Sequence, residues 1–124
     1  MTLDVLKAAL EQSWCAESAY FSDRKNWTKE NSAMGQCTVT ALIVYDFFGG
    51  KIVRGYSQEY KLFHYWNLID GNKIDLTYSQ FINKPDINFT NICYKQKEEL
   101  LKIKSVRYRY FLLKRNVLRI LNLN

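Results

Sequence analysis

The sequence predicts an α+β fold: a small antiparallel sheet of three or four strands packed on a central buried helix with a cysteine at its N-terminus, flanked by N- and C-terminal helices. Three observations predict it. Residues 37–48 are apolar almost all round and stop at Gly49-Gly50, as a buried helix with a glycine terminus does. Asp70-Gly71 separates two runs rich in aromatic and β-branched residues, a strong hairpin signal. Beyond residue 97, Val106, Tyr110, Leu113, Val117 and Ile120 recur at the three-to-four spacing of one buried helical stripe.

The elements follow in order. Residues 3–15 read as a helix, with Leu3, Leu6, Leu10 and Trp14 on one face and Thr2 as the N-cap. Residues 20–36 are polar and read as a loop. Cys37 opens the central helix. Residues 52–56 and 62–69 read as strands, and residues 74–77 as the strand returning after the hairpin. Residues 79–85 read as a turn, and residues 87–94 carry a weaker strand pattern. Residues 97–121 read as one long helix or two consecutive ones, with the basic residues off the buried stripe.

The chain of 124 residues fits a single domain, 1–124, with one core. At 48% apolar and 24% charged it has the balance of a folded domain, which excludes a disordered one. The start of the chain is amphipathic, and no run approaches the roughly 20 apolar residues of a membrane span. The expected location is cytoplasmic, without membrane association. The net charge of +6 is concentrated after residue 94, where nine Lys and Arg stand against two Glu. Three widely spaced cysteines, Cys15, Cys37 and Cys93, with a single histidine, argue against a disulfide framework and give no zinc pattern. No metal or organic cofactor is implied.

The chemistry converges on three residues. A cysteine at a helix N-terminus has a device that lowers its pKa, and the N–H groups around it can receive a developing oxyanion. Cys37, after Gly35-Gln36, fits that description; so does the plainer role of a small buried hydrophobe. With Asp70-Gly71 as the loop, Ile69 faces Asn72, Trp66 faces Asp75 and His64 faces Thr77. His64, Trp66, Asp75 and Thr77 then share one face of the sheet. Asp75 beside His64 would set the imidazole tautomer and stabilise the imidazolium. A Cys37-headed helix on that same face completes a Cys-His-Asp arrangement.

The segments Gly35-Gln36-Cys37-x-Val39-Thr40-Ala41-Leu42, Asp46-x-Phe48-Gly49-Gly50-Lys51-Ile52, His64-Tyr65-Trp66-Asn67 and Ile74-Asp75-Leu76-Thr77-x-x-Gln80-Phe81 resemble the bacterial YunG family. So do Ser13-Trp14, Glu17-Ser18, Tyr20-Phe21 and Trp27-x-x-Glu30-Asn31. The resemblance covers roughly residues 13–82, more loosely the C-terminal helix. The order Cys at a helix start, His-x-Trp-Asn on a strand and Asp-Leu-Thr on the next is also similar to the transglutaminase-like (papain-like) superfamily. That resemblance implies Cys37 as nucleophile, His64 as general base and acid, and Asp75 as the group that orients His64. Gln36 and Asn31 are candidate oxyanion or substrate contacts. Trp27, Trp66 and Asn67 are further substrate candidates. The chain is short for the superfamily, so any cleft must come from residues 20–36, residues 54–61 and the C-terminal helix, which leaves room for small substrates.

The expected function is therefore cysteine-dependent acyl transfer through an acyl-enzyme, covering amide hydrolysis, deamidation and transglutaminase-like transfer, on a protein or a small amide or acyl substrate. Two alternatives compete. The basic C-terminal segment, with Tyr94, Tyr108 and Tyr110 interleaved, is a candidate surface for nucleic acid or an acidic partner. The same three residues would also serve a catalytically inactive interaction module.

Overall fold

The computed structural model describes residues 1–81 and 86–123. Helix α1 (Leu3–Ser13) is capped as expected, the Val5 N–H donating to the Thr2 hydroxyl at 3.2 Å. It ends short of Cys15, because Trp14 turns away and donates its indole N–H to Thr40 Oγ1 at 2.9 Å. Residues 20–36 are not a featureless loop: they wind through two 3₁₀ turns, Phe21–Asn26 and Lys29–Asn31. The segment closes where the Tyr20 N–H meets the Gly35 carbonyl at 2.8 Å. Gly35 has φ +74, and a Cβ there would lie 2.8 Å from that same nitrogen, so the closure requires glycine.

Helix α2 (Cys37–Phe48) has the predicted bounds and stops at Gly49 with φ +70. Its residues 39–44 are all buried. The strands are β1 (Lys51–Ser57), β2 (Leu62–Ile69), β3 (Asn72–Ile74) and β4 (Phe89–Lys95), in the antiparallel order β3-β2-β1-β4. Asp70 and Gly71, at φ 50 and 80, make the two-residue turn, and Ile69 pairs with Asn72 as predicted. Trp66 lies across β1 at Gly55, where a Cβ would stand 2.7 Å from its ring. The weak pattern after residue 86 becomes edge strand β4. Of the predicted turn at 79–85, Tyr78–Gln80 form a 3₁₀ turn and residues 82–85 lie outside the described residues.

Two expectations are corrected. The returning strand ends at Ile74, not Thr77, because the Asp75 carboxylate accepts from the Thr77 N–H at 3.3 Å and hydroxyl at 3.4 Å and turns the chain out of the sheet. Helix α2 also packs on the other face of β2. Tyr65 and Ile69 join the core around α2, and Asn67 Nδ2 donates to the Ala41 carbonyl at 3.0 Å. His64 and Trp66 point the opposite way, under Phe81 and Phe89. Strand β2 is apolar or aromatic on both faces, so alternation could not choose the helix-bearing one.

The C-terminal segment is two helices, α3 (Lys97–Leu101) and α4 (Lys104–Ile120). Val106, Tyr110, Leu113 and Val117 are buried, while Ile120 is exposed at the end of the stripe. Helix α2 thus lies between the sheet and α4, with α1 packed on α4. Asp46 of α2 fixes that contact: Lys97 and Lys114 pair with it at 2.5 and 2.6 Å, and the Tyr110 hydroxyl donates to it. No helix among the described residues is long and apolar enough to cross a membrane.

Candidate active site

Ile69 and Asn72 close the two-residue hairpin and exchange hydrogen bonds, so the N–H groups of Ile69, Asn67 and Tyr65 all point to the β3 side of β2. Strand β3 ends opposite Asn67, which leaves the Tyr65 N–H without a partner strand. The first turn of α2 enters there. The Tyr65 backbone and its neighbour His64, on the other face of the strand, both act on the Cys37 thiol and lower its pKa. The open end of one strand edge is where thiol and imidazole meet.

His64 is fully buried and its Nε2 lies 2.7 Å from Asp75 Oδ2. That leaves Nδ1 for Cys37, with Gln80 Nε2 at 3.4 Å from it. The ring is wedged by Phe81 edge-on at 4.9 Å and Phe89 stacked at 5.4 Å, so it has little freedom to swing. Burial disfavours the imidazolium and is the strongest single influence, yet the hydrogen bonds and negative charges of Asp75 and Cys37 outweigh it and push His64 up to about 9. Burial likewise pushes the Cys37 thiol up. Hydrogen bonding and charge from His64, the Tyr65 N–H and the Thr38 hydroxyl together bring it below its ordinary value. The start of α2 adds the positive end of a helix with no side-chain cap on its first N–H groups. The two shifts have one meaning: the pair favours thiolate and imidazolium.

Cys37 is half-buried and opens into a cavity of about 420 Å³. Residues 20–35, the 61–63 end of β2 and the start of α4 supply its walls, close to the cleft the sequence predicts. This volume is near the lower end of small-molecule sites, roughly 300–1,000 Å³.

A family model described as YunG protein matches residues 2–122. The chain belongs to the YunG family. It is 32% identical to the Uncharacterized protein YunG of Bacillus subtilis (strain 168) over 108 residues, 87% of this chain and 86% of that one. No solved structure gives a significant match.

In this YunG-family chain the remaining predicted residues fall in different places. Gln36 is fully buried, and both ends of its amide are engaged: Ser18 Oγ donates to Oε1 at 2.8 Å and Nε2 donates to the Cys15 carbonyl at 2.9 Å. It ties the start of α2 to the end of α1 and does not line the Cys37 cavity. Asn31 acts one step removed, its Nδ2 donating to the Gln80 carbonyl at 3.4 Å. Trp27 donates to the Ser32 carbonyl and holds its own loop; it does not line the Cys37 cavity. Trp66 is buried among His64 and Phe89, and Asn67 is the β2-to-α2 clip. Neither faces the cavity. Tyr110, proposed from sequence for an outer basic surface, is buried at Asp46, while Tyr94 and Tyr108 are exposed on separate elements.

Two residues in the cavity wall were missed, Gln80 and Arg109. Gln80 stands in the family-like segment Asp75-Leu76-Thr77-x-x-Gln80, and its spacing of five from Asp75 was the available signal. Arg109 gave none, because it falls one position before the buried Tyr110 and counts as one more basic residue.

Proposed function

We propose that this chain is a cysteine-dependent acyl-transfer enzyme of transglutaminase-like type acting on small amides or thioesters. The observation that carries the proposal is Cys37 at the head of α2, its thiol pKa lowered by the neighbouring His64, whose Nε2 is held by Asp75 at 2.7 Å. That order of nucleophile, base and orienting group supports the reading.

The thiolate attacks the substrate carbonyl carbon. A C–S bond forms, and the carbonyl π pair moves to oxygen. The Cys37 N–H at the helix start and Gln80 Nε2, whose two contacts within the chain, His64 Nδ1 and Thr77 Oγ1, are both long at 3.4 Å, are the donors this reading assigns to that charge. The tetrahedral centre collapses, the C–N (or C–S) bond breaks, and the leaving amine (or thiol) takes the proton from His64. Neutral His64 then removes a proton from water or an incoming amine as it attacks the acyl-enzyme. The thiolate departs and the imidazolium is restored. Asp75 keeps the ring oriented and offsets its charge throughout, without taking the proton.

The test is acyl-enzyme capture. The protein is treated with p-nitrophenyl acetate, and acetyl mass is followed on each cysteine peptide. Acetyl should load on Cys37 ahead of Cys15 and Cys93, decay with time, and fail to load in His64→Ala. Equal loading of the three thiols, or loading indifferent to His64, refutes the proposal.

A further inference from the structure

Arg109 is 3% exposed, yet it lines the Cys37 cavity. Its hydrogen bonds are two long ones from Nη1 to neutral carbonyls, Ser18 at 3.4 Å and Gly35 at 3.5 Å. Its Nε has no hydrogen-bond partner. Among the described residues it has no ion pair. A buried guanidinium without a counter-ion is costly, and folded chains seldom retain one unless something else pairs with it. The Arg109 guanidinium carbon lies 5.9 Å from the centre of the Tyr20 ring, and the charges acting on it include the Cys37 thiolate, Arg24 and Asp23. Arg24 is turned to the Glu17 and Ala19 carbonyls. Lys61 adds a second positive charge to the cavity wall, and Asp23 is its one carboxylate. The cavity that holds the reactive sulfur therefore sets Arg109 and Lys61 against Asp23 and the thiolate, and it contains an under-used planar donor fork, the group that suits a carboxylate best.

We infer that the acyl donor carries a carboxylate, bound by Arg109 inside the Cys37 cavity. Asp23, also in the cavity wall, disfavours a second negative charge on the donor. The inference rests on the acyl-transfer reading above and narrows it to small anionic amides or thioesters. Arg109 is a binding residue here; it takes no proton and forms no bond.

The test uses paired alkylating probes, iodoacetate and iodoacetamide. Both need the same thiolate, so the ratio of their rates at Cys37 cancels any change in thiolate fraction. The wild-type ratio, normalised to free cysteine, should favour iodoacetate. Arg109→Met should lower it about 10- to 100-fold, the scale of a lost charge-assisted contact, and Arg109→Lys should retain part of it. A second measurement needs no variant: N-acetylglycine should protect wild-type Cys37 from iodoacetamide, and neutral N-acetylglycinamide should protect it poorly. Equal loss of both rates in Arg109→Met would mean that the arginine serves only the thiolate, and would overturn the inference. So would equal protection by the two amides. Either result, with iodoacetamide still reporting a low-pKa thiol, leaves the acyl-transfer reading standing. An ordinary thiol toward iodoacetamide sinks both.

Discussion

Replacing Asp75 with Asn tests the electrostatics of the site most directly. The amide is nearly isosteric and can still accept from His64 Nε2, so the 2.7 Å contact survives while the charge is lost. In the wild type, His64 is raised from 6.5 to about 9. That rise corresponds to a preference for the imidazolium of roughly 3 kcal/mol. Asp75 and Cys37 supply it against burial, so loss of the Asp75 charge removes a substantial part of it, an effect on the order of tenfold. The Cys37 thiolate depends on that imidazolium, so its titration should move upward by the same order. The assay is iodoacetamide labelling from pH 4 to 10, read by mass spectrometry on the three cysteine peptides. On the acid side of the wild-type Cys37 midpoint the Cys37 rate should fall about tenfold, and Cys15 and Cys93 should be unchanged. Stability supplies a second check with a defined sign. A histidine raised on folding contributes its full stability below the unfolded value of 6.5 and loses it as pH rises through about 9. The urea stability gap between wild type and Asp75→Asn should therefore be largest near pH 6 and shrink by pH 10. An unchanged Cys37 profile with an unchanged gap would refute the coupling altogether.

Two further substitutions separate the site from its scaffold. Gln80→Ala should slow acyl loading from p-nitrophenyl acetate by roughly 10²-fold, the scale of one lost oxyanion donor, while the iodoacetamide profile of Cys37 stays in place. A shifted profile would assign Gln80 to thiol poise instead. Gln36→Leu removes a fully buried amide that accepts from the buried Ser18 hydroxyl and donates to the Cys15 carbonyl. It should cost about 1–3 kcal/mol in urea unfolding, and a neutral result would contradict the structural role given to Gln36.

How much was legible depended on whether neighbours in sequence settled the question. The bounds of α2 were, because all-round apolarity and a glycine stop are local signals. The β2–β3 register was, because Asp-Gly fixes a two-residue turn and parity does the rest. From that register the nearness of His64 and Asp75 followed. The face carrying α2 was not legible, since β2 has Tyr65 and Ile69 on one side and His64 and Trp66 on the other, and both sides are covered. Gln36 stood out as a candidate site contact and Gln80 did not, for a similar reason. Gln36 is adjacent to Cys37 in sequence, but a residue at a helix N-cap can turn its side chain toward α1, whereas Gln80 arrives through the turn that Asp75 initiates. Arg109 was hidden because helical spacing separates apolar from polar positions and cannot register a charge drawn inward.

The short reach of β3 has a consequence outside chemistry. A strand with free N–H and C=O groups along its side is a template on which another chain can add a strand, and natural sheets shield such stretches. On β2 the shield over the Tyr65 stretch is the head of α2 together with the segment running from Asp75 to Gln80. The groups that poise the thiol are thus also the guard against intermolecular pairing. Substitutions that loosen the 75–80 turn should lose reactivity and gain a tendency to self-associate in the same step, so soluble yield would track thiol poise across a set of such variants.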